Sequence, residues 1–216
     1  MTLRVLEIFD SLQGEGYWAG IPMTFVRLVG CNAPDLGLDC ARWCDTKDAR
    51  SSLEGEDRDA VAIADRVRLP RVCLTGGEPL LQREGVGELL AAAHERDMRV
   101  HVETNGTIDP VVPATGRSLD FDWVVVSPKP PEYGVAPGWE GLIDELKLVA
   151  DESLDAATAE RLAASHPGAF VCIQPVWDAG ASGAGGSASA RRATDLVMSH
   201  PDWRLSLQTH KFLGIR

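Results

Sequence analysis

The chain has 216 residues, 44% of them apolar and 25% charged, and its 32 acidic against 21 basic side chains leave a formal charge of −11. That length fits one well-buried domain spanning 1–216. The acidic balance excludes a sequence-independent grip on nucleic acid phosphates, and no apolar run reaches the ~18 residues of a membrane span. Five cysteines, three of them clustered, argue against a disulfide framework and for a reducing, cytoplasmic setting. The opening MTLRVLEIFD lacks the basic n-region and apolar core of a secretory signal.

In chain order, residues 3–10 read as extended and lead into SLQGEGYWAGIP, a glycine-broken loop carrying Gln13 and Glu15. Residues 23–30 read as a buried strand with Arg27 in its middle. A buried guanidinium must either pair, with Glu7 or Glu15 at hand, or face a cavity holding an anion. The polar run 51–59 is expected to be exposed. It precedes a short helix from residue 60, with Asp57 or Asp59 as N-cap. Strands are then predicted at 71–74, 99–106, 123–129, 145–151 and 169–177, with helices at 84–97, roughly 153–165 and 187–199. The Gly, Ala and Ser-rich run 178–190 reads as a mobile loop.

Strands joined by crossover-length connections predict a parallel sheet in an α/β fold. Polar residues such as Glu103, Asn105, Ser127 and Lys129 stand where strands end, the face that carries the site in a (β/α) barrel. About six core strands are too few for the eight-fold form, so the expected architecture is an incomplete (β/α)6-type partial TIM barrel.

The chemistry-bearing stretch is RLVGCNAPDLGLDCARWCDT, 27–46. Cys31, Cys40 and Cys44 are one thiolate short of a closed zinc or iron–sulfur site, so a centre built on them keeps an open position. A zinc loop completed by a distant ligand, or simple buried thiols, would use the same residues. One βα unit later comes TGGEP, 75–79, whose glycines remove two Cβ atoms and whose Glu78 can balance a cationic group. A cysteine trio followed by this motif resembles the radical S-adenosylmethionine (SAM) superfamily.

The detailed resemblance is to the 7-carboxy-7-deazaguanine synthase family, carried by SLQGEG (11–16), FVRLVGCN (25–32), WCDT (43–46), LTGGEPLLQ (74–82), ETNGT (103–107), SPK (127–129), ELKLV (145–149), IQP (173–175) and LQTHKFLGIR (207–216). The resemblance implies that Cys31, Cys40 and Cys44 ligate a [4Fe-4S] cluster. It implies a SAM site made of Trp43, Cys44, Asp45, Gly77, Glu78, Ser127, Pro128, Lys129, Gln174, Pro175, Val176 and Trp177. Leu12, Gln13, Gly14, Glu15, Arg27, Thr75, His210 and Arg216 would surround the substrate, 6-carboxy-5,6,7,8-tetrahydropterin, and Thr46 would ligate a Mg²⁺ shared with it. Thr46 and His210 are the implied catalytic residues. An electron donor such as flavodoxin or ferredoxin and a homodimer are also implied.

Plainer roles stand beside these: Thr46 as a helix cap, Lys129 as a surface charge, His210 as a packed core residue. Cys73 and Cys172 lie in apolar strands and read as structural. The cysteine spacing departs from the superfamily's usual C-x3-C-x2-C, with gaps of eight and three residues. The first gap is a longer loop. The extra residue among Ala41, Arg42 and Trp43 puts the turn between the last two thiols in question. A glycyl-radical activase on the same frame and a non-catalytic metal-stabilised binding protein are the competing functions.

Overall fold

The computed structural model describes residues 1–50, 55–177 and 187–216. Eleven strands are present among these: β1 Thr2–Leu12, β2 Pro22–Leu28, β3 Glu56–Asp59, β4 Arg71–Gly76, β5 Arg99–Thr104, β6 Val111–Val112, β7 Arg117–Ser118, β8 Trp123–Val126, β9 Glu145–Val149, β10 Phe170–Gln174 and β11 Arg204–Leu205. Five helices accompany them: α1 Ala60–Arg66, α2 Arg83–His94, α3 Ala156–Ser165, α4 Ala188–Ser199 and α5 Thr209–Leu213. Nine strands form one sheet in the order β11-β10-β9-β8-β5-β4-β2-β1-β3. All neighbours from β2 to β11 run parallel, and β1 joins β2 and β3 antiparallel. The fold is thus mixed α/β around a large, mostly parallel sheet.

The alternation of side chains along each strand decides what faces what. Val26 and Leu28, Val72 and Leu74, Val100 and Val102, Val124 and Val126 pack into one core with Ile63 of α1 and Val86 and Leu89 of α2. Leu146, Leu148, Val171 and Ile173 pack with Leu162 of α3 and Leu196 of α4 in a second. Each fully buried side chain of this kind contributes roughly 1.5–3 kcal/mol. The intervening positions, Arg27, Thr75, Glu103, Val125, Lys147 and Gln174, turn to the opposite face and line one cavity there.

Helix starts follow their caps: the carboxylates of Asp59 and Asp155 accept from Ala62 N and Thr158 N, and the Ser187 hydroxyl from Ala190 N. The polar run expected to be exposed is mostly so from Glu56 to Asp59, and these residues form a strand that was not expected, β3, paired with Thr2 to Val5 at the sheet edge, where charged side chains suit a strand open to water on one side. The β6–β7 hairpin, β11 and α5 were also not expected from periodicity. Residues 51–54 and the stretch 178–186 of the expected mobile loop lie outside the described residues. No helix among the described residues is long and apolar enough to cross a membrane.

Candidate active site

The cavity, of about 260 Å³, lies at the C-terminal ends of the parallel strands and is walled by the cysteine loop, the strand ends and the segments 12–15 and 208–216. Cys31, Cys40 and Cys44 all line it, with no disulfide among them. The enlarged gap is absorbed by a helical turn: Cys44 N donates to Cys40 O at 2.8 Å and Trp43 N to the same oxygen at 3.2 Å. Positions four apart return to one face of such a turn, so both thiols reach the cavity. Burial raises the Cys31 thiol to about 11 and also raises Cys40, the latter opposed by the nearby Lys129 ammonium. These thiols must shed protons to bind metal.

Of the other residues implied by resemblance, Trp43, Asp45, Gly77, Ser127, Lys129, Gln174, Pro175, Val176 and Trp177 line the cavity, as do Leu12, Gln13, Gly14, Glu15, Arg27, Thr75, His210, Arg216 and Thr46. Pro128 and Glu78 do not. Glu78 is fully buried, and its oxygens accept from Leu80 N, Thr104 Oγ1 and Asn105 N, which ties the start of its own turn to the end of β5. Burial raises its pKa, opposed by those bonds and by the charge of Lys129. The two glycines before it serve the protein as well. A Cβ on Gly76 would collide with the Leu28 carbonyl and one on Gly77 with the Gly30 carbonyl, so their absence brings the ends of β4 and β2 together.

Arg27 meets both sequence readings, donating to Glu7 at 2.9 Å while lining the cavity. Arg216 also pairs with Glu7, and both guanidinium groups lie over the Phe9 ring, at 5.7 and 4.9 Å. The segment around α5 closes one side of the cavity. Thr209 N and its hydroxyl donate to Gly14 O, Gln208 Nε2 donates to Glu15 Oε1 at 2.7 Å, and Phe212 packs edge-on against Trp177. Gly14 is required here, because a side chain would occupy the place of the His210 ring.

Lys147 and Gln208 were given no role by sequence reasoning, and Glu103 was read there only as a polar residue at a strand end. Lys147 pairs with Glu15 and stands 3.7 Å from Glu103, while Glu103 accepts from Gln13 Nε2 and Thr75 Oγ1. Burial opposes charge on Lys147, yet Glu103, Glu15 and Glu145 hold its pKa well above the ordinary value. Gln208 bridges Glu15 and Asp45. The signal for Lys147 and Glu103 was present as charged residues alternating with apolar ones in strands whose other face is core.

No family model matches the sequence. Relatives named 7-carboxy-7-deazaguanine synthase are 38% identical from Bacteroides thetaiotaomicron, over all of this chain and all of the relative, and 34% identical from Synechocystis sp., over all of this chain and 95% of the relative. The chain belongs to the 7-carboxy-7-deazaguanine synthase family. The crystal structure of QueE from Escherichia coli superposes with a TM-score of 0.75 at 26% identity, covering 97% of this chain and 95% of that one.

7-Carboxy-7-deazaguanine synthases are radical SAM enzymes, so the residues present must suit a [4Fe-4S] cluster and SAM. They do: three free thiols share one cavity wall, and the remaining two cysteines, Cys73 and Cys172, are buried in β4 and β10 away from that wall. Among the described residues no three His, Cys, Asp or Glu side chains converge closely enough to hold a single metal ion.

Proposed function

We propose that this chain converts 6-carboxy-5,6,7,8-tetrahydropterin to 7-carboxy-7-deazaguanine with loss of ammonia, in the queuosine type of 7-deazapurine biosynthesis. The observation that carries the proposal is the gathering of three free thiols and the inward residues of every core strand on one cavity, in a chain 38% identical along its full length to a named synthase.

On this reading Cys31, Cys40 and Cys44 hold the cluster, and Trp43, Asp45, Gly77, Ser127, Lys129 and Gln174 to Trp177 hold SAM. When bound, these groups supply one-electron chemistry and hydrogen-atom abstraction. Everything else falls to the chain. Arg27 and Arg216, held side by side by Glu7, offer charge-assisted bonds to a substrate carboxylate. Gln13, Glu15, Thr75 and His210 offer polar groups to the pterin, and Phe212, half exposed, packs edge-on against the cavity residue Trp177. Thr46, which lines the cavity and whose hydroxyl donates to Asp45 Oδ1 at 3.2 Å, would add a hard oxygen ligand for Mg²⁺. We further infer one domain over 1–216 with an incomplete (β/α)6-type barrel, a cytoplasmic homodimer, and a flavodoxin- or ferredoxin-type donor.

Anaerobically reconstituted protein incubated with SAM, a reductant and the pterin should yield a product with the mass of 7-carboxy-7-deazaguanine. Unchanged pterin from protein with an intact cluster would overturn the assignment. Deleting Ile215 and Arg216 tests the substrate end of the cavity. The Arg216 carbonyl accepts from Ser11 and its side chain reaches Glu7, so the deletion should raise KM at least about tenfold, or ~1.4 kcal/mol, with cluster content retained. A lower melting temperature with unchanged KM would reduce these residues to packing.

A further inference from the structure

The turn from Cys40 to Cys44 carries one residue more than the superfamily spacing, and a lone turn in a loop does not hold itself. Three bonds from outside fix it. Arg50 Nη1 donates to Ala41 O at 2.8 Å, Asp39 N donates to Pro130 O at 2.9 Å, and the Trp43 indole donates to Asp151 Oδ2 at 3.1 Å. The last grips the residue before Cys44, while Gln208 and Lys211 hold the Asp45 carboxylate just after it.

Asp151 is suited to that hold. It is buried two residues past the end of β9, and its other oxygen accepts from Ser153 N at 2.9 Å and Tyr133 OH at 3.5 Å. Its neighbour Ala150 accepts through its carbonyl from Ser189 Oγ and Arg192 Nη1, and the same Ser189 hydroxyl accepts from Val176 N. Segments following β8, β9 and β10 therefore meet at this point. Lys129, which donates to Ser127 Oγ at 2.6 Å, places its ammonium 5.6 Å from the centre of the Trp43 ring, so the indole is fixed along its edge by Asp151 and faced by a cation.

We propose that Asp151 is a positioning residue for the cluster: by locking the Trp43 indole it turns the Cys44 thiol, across the enlarged gap, into the cavity beside Cys40. The proposal rests on the cluster reading above. Its test compares wild type, Asp151→Asn, Trp43→Phe and the double variant after anaerobic reconstitution, reading iron per chain, the electron paramagnetic resonance of the reduced cluster with and without SAM, and thermal melting. Asparagine has one oxygen to serve both Ser153 N and the indole, and Trp43→Phe removes the N–H while keeping a ring.

Each single variant should change the reduced-cluster spectrum and weaken SAM binding about tenfold. The double variant should be no worse than the more affected single, because both remove one bond. Tyr133→Phe, which removes the other partner of Asp151, should leave the spectrum alone. Additive losses in the double variant, or a melting change without a spectral one, would overturn the proposal. Should Asp151→Asn not fold, an unchanged spectrum in Trp43→Phe would overturn it equally. Wild-type protein that takes up no iron would remove the cluster reading along with it, whereas a normal wild-type cluster with indifferent variants removes this inference alone.

Discussion

Replacing Cys31, Cys40 or Cys44 singly with alanine is expected to abolish cluster assembly and with it all turnover, while Cys73→Ala and Cys172→Ala retain both. The first three thiols share a cavity wall, and the last two are buried within β4 and β10. On the proposed reading, a cluster bound through these three thiolates would have no spare cysteine in the cavity to take over when one is lost. Iron content and the absorbance of the anaerobically reconstituted variants decide the matter. Full iron in Cys40→Ala would return the helical turn to an ordinary loop and leave the site without its third ligand.

Lys147→Met should cost about 3–5 kcal/mol of stability, since it strands Glu15 and Glu103 in a buried place without their countercharge. For a chain of this size that is a fall in melting temperature of roughly 10 °C. The double variant Glu15→Gln/Lys147→Met should recover part of the loss. A loss below about 1 kcal/mol would mean that the stranded carboxylates simply take up protons.

The same pair sets a pH window. Burial works against the Glu15 charge, but Lys147 and Gln208 outweigh it and lower the pKa below the ordinary 4.5, so its contribution is complete above that value and is lost as pH falls through the lowered folded pKa. Lys147 is raised above the ordinary 10.5, so its contribution is complete below 10.5 and lost as pH rises through the folded pKa. Unfolding curves should therefore be flat in this contribution between about 4.5 and 10.5.

The six parallel core strands were legible because strands packed under helices read as apolar runs ended by polar residues. The cysteine trio was legible because thiols cluster in sequence as they do in space. β3 was not, because an edge strand facing water carries the same residues, Glu56 to Asp59, as a loop. Lys147 was passed over because a charged residue alternating with leucine reads as a solvent face, and Glu103 was read only as a polar strand end; only the assembled sheet shows that this face closes on a cavity and brings the two together. The donors that bond the buried Glu78 carboxylate, Leu80 N, Thr104 Oγ1 and Asn105 N, were not legible either, since they meet it only across the turn and from the end of β5.

Three or four residues along a helical turn bring the chain back to nearly the same side. Two thiols can accordingly be presented together by a gap of two intervening residues or, as between Cys40 and Cys44, of three. A search pattern that fixes the count between the last two cysteines passes over this chain and any like it. A better query leaves that count free and asks instead for an acceptor, such as Asp151, placed to anchor the aromatic residue that precedes the final cysteine.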